Sequence, residues 1–102
     1  MLITEDGRQR LLRVDKQAGP LCTVITLDGE ISEECVDFIE SCCERVRAAG
    51  KPVELFLRDV SRVDAAGRAL LSRLAAQGIH LLGRGVYTSY LIRAAIANAA
   101  RK

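Results

Sequence analysis

The chain has 102 residues, 49% of them apolar and 27% charged, with a net charge of +2. That length supports one hydrophobic core, not two, and the apolar share excludes a disordered tail. Two Tyr, two Phe and no Trp argue against a base-stacking surface for single-stranded nucleic acid.

In chain order, Arg8 to Val14 and Leu21 to Leu27 read as two strands. The turn-rich stretch Asp15-Lys16-Gln17-Ala18-Gly19-Pro20 between them favours an antiparallel pair. In the second strand Leu21, Thr23, Ile25 and Leu27 fall on one face, and Cys22, Val24 and Thr26 on the other. Ser32 is placed as a helix N-cap, with Glu33 and Glu34 in the first turn against the helix dipole. Cys35, Phe38, Ile39, Cys42 and Val46 keep the three-four spacing of an amphipathic helix. Arg45 and Arg47 suit its last turn, Gly50 its end, and Pro52 forbids continuation. Val53 to Arg58 alternates, with Val53, Leu55 and Leu57 inward and Glu54, Phe56 and Arg58 outward. Such alternation marks a sheet covered on one face, so the helices are expected mainly on one side. A second helix follows Asp64 and ends at Gly78. A short strand spans Ile79 to Leu82, and a last helix starts near Thr88, with Tyr87 and Ile92 as a staple around a Thr88 N-cap. Ala94 to Ala100 has little to bury and is expected to fray.

The most informative run is Val60-Ser61-Arg62-Val63-Asp64-Ala65-Ala66-Gly67. A strand delivers Asp64 to a helix start, where its carboxylate can accept from unpaired backbone N–H groups. Gly67 lets the first turn lie close to a neighbour. Here the chain resembles the STAS domains, which include the bacterial anti-sigma factor antagonists. Their signature is a strand, then Asp-Ser-Ser/Thr-Gly, then a helix. Leu27-Asp28-Gly29-Glu30-Ile31 and Gly78-Ile79-His80-Leu81-Leu82-Gly83 resemble two further family segments. The resemblance runs over roughly residues 8–98 and implies a single small α/β domain. Its expected sheet has four mostly parallel strands with an antiparallel N-terminal strand, and its three helices lie mainly on one face.

In the family, the first Ser of the motif is phosphorylated by a kinase that is also the binding partner. That position is Ala65 here, which has no hydroxyl to accept a phosphoryl group. Arg68 replaces a residue that is commonly apolar and, with Arg62, makes the loop more basic. The resemblance implies a non-enzymatic protein–protein interaction module without the usual phosphorylation switch. Its partner-binding candidates are Arg62, Asp64, Ala65, Ala66, Gly67, Arg68 and Arg73. The partner it implies is an anti-sigma factor or kinase-like regulator. An alternative is the STAS subunit that stabilises the ATPase of a bacterial lipid-trafficking ABC transporter, where an Asp-Thr-Ala-Gly variant resembles this site.

Charge is uneven along the chain. Residues 1–51 carry 7 basic and 10 acidic side chains, a net of −3, and residues 52–102 carry 8 basic and 3 acidic, a net of +5. Such runs read as solvated faces or as surfaces that steer a charged protein partner. A third reading, of another class, is a small-ligand module that holds a nucleotide or other anion at Arg62, Arg68 and Arg84. Gly83-Arg84-Gly85 lacks the third glycine of a dinucleotide fingerprint and the Lys-Ser/Thr of a P-loop, so it reads as a tight turn. Cys22, Cys35, Cys42 and Cys43 contain no Cys-x-x-Cys pair and read as reduced, mostly buried thiols. His80, the one histidine, falls on the open sheet face near Glu54 or Arg58. No spacing reads as a metal site, and no cofactor is implied. No apolar run reaches the ~20 residues of a membrane span and no leader pattern opens the chain, so a cytoplasmic protein without membrane insertion or nucleic acid is expected. A homodimer is left open.

Overall fold

The computed structural model describes residues 2–4 and 11–100. The order is β1 (Leu2–Thr4), β2 (Leu11–Ala18), β3 (Thr23–Ile31), α1 (Glu33–Ala48), β4 (Val53–Val63), α2 (Ala65–Ala76), β5 (His80–Gly83) and α3 (Val86–Ala100). One sheet in the order β1-β2-β3-β4-β5 contains every strand. The β1–β2 and β2–β3 pairs are antiparallel, and β3–β4 and β4–β5 are parallel. The expected four-stranded mixed arrangement with three helices is present, and β1 adds a three-residue strand at its edge.

Alternation sets the layers. Ile25, Leu27, Leu55, Leu57 and Leu81 are at most 4% exposed and share one core with Ile39, Cys43, Leu70, Leu71, Leu74 and Leu91 of the helices. The opposite face carries half-buried Val24, Thr26, Glu54, Phe56 and Leu82, with His80 exposed. His80 Nδ1 lies 3.6 Å from Glu54 Oε2, where the alternation places it. Because β3, β4 and β5 run parallel, their C-terminal ends share one edge of the sheet. All three helices start at that edge, which concentrates their unpaired N–H groups there.

Several boundaries differ from expectation. Part of the first expected strand, residues 8–10, lies outside the described residues. From Leu11 the strand continues to Ala18, because Asp15 to Ala18 pair with Thr26 to Thr23. The turn is thereby confined to residues 19–22, where Gly19 N–H donates to Cys22 O at 2.9 Å. Leu21 lies outside β3 and is 84% exposed. β4 runs five residues beyond Arg58. Its buried positions Leu57, Val60 and Val63 are three apart, which hides a strand from a period-two reading. Register shifts at Leu27/Asp28 and Gly29/Glu30 give β4 an extra residue at Arg58 and another at Ser61, and such bulges change the alternation. β5 begins at His80 and extends to Gly83, one residue later at each end than expected.

The last helix begins at Val86, so Thr88 is inside it and not its N-cap. The Thr88 hydroxyl donates back to Arg84 O instead, and with the helix starting at Val86 the expected staple around a Thr88 cap is not formed. Ala95, in the stretch expected to bury little, is 4% exposed. On α1, Cys43 joins the core as well, while Cys42 and Phe38 are half-buried and pack against it. Burial, with smaller contributions from Cys42 and Glu40, pushes the Cys43 thiol up to about 12, so it stays protonated.

At the first bulge, Arg58 Nε and Nη2 donate to the two oxygens of Asp28 at 3.0 and 2.5 Å. These bonds, aided by the guanidinium charge, hold the Asp28 carboxyl below its ordinary 3.8 against a smaller upward push from burial. A carboxyl depressed in the fold stabilises fully above its unfolded value and loses that contribution as pH falls through the folded value. Asp28→Asn is therefore expected to flatten the acid limb of the stability curve below about pH 4. Urea titrations of both proteins from neutral pH downward check this, and parallel limbs would remove Asp28 from acid unfolding.

Candidate functional site

The site grows from the parallel pairing of β3 and β4. Ile31 lies beside Val63 at the ends of these strands, and Asp64 N–H donates to Ile31 O at 3.1 Å. Asp64 then turns out of the strand with φ −83° and ψ −176° and caps α2. Its Oδ1 accepts from Gly67 N–H at 2.8 Å, the bond expected of an N-cap. Its Oδ2 accepts from Glu33 N–H at 3.0 Å, in the first turn of α1. One carboxylate thus joins the starts of two helices, reaching 31 residues back along the chain.

Ser32 occupies the N-cap position of α1, but its side chain caps no backbone N–H. Its hydroxyl donates to Glu34 Oε1 at 2.7 Å. Asp64 supplies a capping acceptor for α1 from another part of the chain. Gly67 permits this closeness. A Cβ there would lie 2.7 Å from Val63 Cγ1 and 2.9 Å from Ile31 O.

Ala65 is exposed, Ala66 half-buried and Gly67 buried. Beside them is a depression of about 190 Å³ lined by Glu30, Ile31, Ser32, Arg62 and Asp64. Arg62 and Arg68 are both exposed, but they line different hollows. Arg68 faces the groove between α2 and α3, and Arg84, exposed at the end of β5, lines neither. Arg73 turns away from the loop towards α1, where Nε and Nη2 each lie 3.3 Å from a Glu40 oxygen.

Three participants escaped the sequence reading: Glu30, Ser32 as part of the depression, and the Glu33 N–H that meets Asp64. The strand-end match of Ile31 with Val63 would have revealed them, but register across a parallel crossover has no local sequence signal. Among the described residues no group of three or more His, Cys, Asp or Glu converges as a metal site. No described helix is long and apolar enough to cross a membrane.

No family model matches the chain, and no curated protein matches it. A solved structure is similar: an uncharacterised protein of the DUF3478 family with a SpoIIAA-like fold, from Shewanella loihica PV-4. The likeness covers 90% of this chain and 82% of that one, with a TM-score of 0.55 and 9% identity. At that identity it speaks for architecture alone, and the architecture of this chain is SpoIIAA-like.

Proposed function

We propose that this protein is a non-enzymatic protein–protein interaction module, similar to the anti-sigma factor antagonists, that binds a regulatory protein through Asp64–Gly67 and α2. One observation carries the reading. Asp64 uses both carboxylate oxygens to join two helix starts, and the next residue, Ala65, stands exposed on the first turn of α2. An aspartate held in this way acts as a scaffold for the loop. The exposed methyl at the family's phosphoacceptor position leaves the surface in a permanently unmodified form. Association is therefore constitutive.

Immobilised protein, with mass spectrometry of what it retains from lysate, identifies the partner as an anti-sigma kinase, an ABC ATPase or another regulator. Calorimetry with that purified partner tests the surface. Ala65→Asp adds charge and disturbs the helix start, and is expected to weaken binding by ~2 kcal/mol, about thirtyfold. Arg62→Glu, on the other side of Asp64, is expected to weaken it while the fold stays intact, since exposed reversals rarely alter stability much. Full-strength binding by both folded variants would move the interface away from the loop.

A further inference from the structure

After Asp64 the chain contains six basic residues and no acidic one. Arg73 finds its counter-charge on α1, at Glu40. Arg68 has none. Its guanidinium makes no hydrogen bond or ion pair with any described residue, yet it lines a defined hollow of about 170 Å³ between α2 and α3. Ser72, one turn further along α2, lines the same hollow, and Tyr90 and Asn98 close it from α3. Their side chains likewise have no hydrogen-bond partner among the described residues. The floor is Leu91, Ala94 and Ala95, with Leu91 and Ala95 buried.

Four polar side chains converge on an apolar floor, and the only charged one is an arginine. Arginine offers donors and no acceptor, while the two hydroxyls and the amide can each donate. The hollow is well below the roughly 300 Å³ lower bound for small-molecule sites, so a nucleotide does not fit within it. A single carboxylate does, with the planar guanidinium as its natural partner. Tyr90 is 66% exposed and Tyr87 41% exposed on the same helix. Aromatic and arginine side chains of this kind are the residues enriched at protein interfaces.

From this we infer that the α2–α3 groove is an anchor pocket for an acidic side chain of the protein partner, received by Arg68 with Ser72, Tyr90 and Asn98. The inference rests on the interaction-module reading and adds the chemistry of the contact. It also gives Arg68 a role separate from the Ala65 loop.

Two measurements test it. In the first, N-acetylglutamate N-methylamide, its glutamine counterpart and inorganic phosphate are each titrated into labelled protein at constant ionic strength. The glutamate probe is expected to shift the Arg68 Nε–H and Asn98 side-chain amide signals saturably. The glutamine probe should not, and Arg68→Gln should abolish the response. Saturable shifts with phosphate but not glutamate would overturn the inference in favour of a free-anion site. No saturable shift with any probe would overturn it outright.

In the second, the partner retained by wild-type protein is measured against Arg68→Gln and Tyr90→Phe. Arg68→Gln is expected to weaken binding about tenfold and Tyr90→Phe by a smaller factor. If Ala65→Asp abolishes binding while Arg68→Gln leaves it unchanged, the groove inference fails and the loop reading stands. If the glutamate probe enters the groove and Arg68→Gln weakens binding while Ala65→Asp has no effect, the loop reading fails and the groove stands.

Discussion

Leu57→Asp is expected to cost more than ~4 kcal/mol and to move the urea midpoint far below that of the wild type. Leu57 is fully buried. It lies between Leu27 of β3 and Gly83 of β5, on the side of the sheet covered by the helices. A carboxylate at that position would lose its hydration among the apolar side chains of the core. Even when protonated, it would leave polar atoms in an apolar site. A domain of this size has a total stability of only about 5–15 kcal/mol, so the loss is a large part of the whole. Glu54→Lys, three residues earlier on the opposite face, is expected to cost under ~0.5 kcal/mol, because the partner of Glu54 among the described residues is the exposed His80 at 3.6 Å. Urea titration of both variants tests the layer assignment. Comparable losses would contradict a sheet covered on one face.

Asp64→Ala is expected to destabilise by about 1–2 kcal/mol, since removing a helix cap costs roughly 1 kcal/mol and this residue caps two. The Glu33 N–H is exposed, so water can replace part of the lost bond. The Gly67 N–H is partly buried and loses more. Asp64→Asn separates the two contributions. An asparagine oxygen still accepts from Gly67, but its amide nitrogen is a donor and cannot accept from Glu33. Its expected loss is about half that of alanine. Amide exchange supplies a local reading: the Glu33 N–H should exchange faster in both variants, and the Gly67 N–H only in Asp64→Ala. Unchanged Glu33 exchange in Asp64→Asn would show that the bond between the helices contributes nothing.

The same aspartate shows how far local sequence information reached. An Asp followed three residues later by a glycine in the first turn of a helix is a short-range pattern, so the cap on α2 was legible from Asp64 to Gly67 alone. The layers were legible for the same reason. Val53, Leu55 and Leu57 repeat with the period of a strand, and polar Glu54 and Arg58 on the other side imply a face without helices. The order of strands and helices followed from these periodicities and from Gly50, Pro52 and Gly78 at the breaks.

Each element whose signal lies within a few residues of itself was thus readable from its own residues. Where those signals meet depends on the folded arrangement. The second oxygen of Asp64 reaches Glu33 because β3 and β4 end in register at Ile31 and Val63, a match produced by two bulges at Arg58 and Ser61. Arg73 pairs with Glu40, 33 residues away, although its helix alone shows a free basic side chain. Cys43 is buried more deeply than Cys42 because the rotation of α1 is set by what it packs against, and adjacent residues differ by about 100° around a helix. Arg62 and Arg68 are six residues apart and read as one basic flank. The turn from strand to helix sends one to the depression beside Asp64 and the other to the groove against α3. Charge and spacing are carried by the chain, but direction comes from packing and register, which depend on residues tens of positions away.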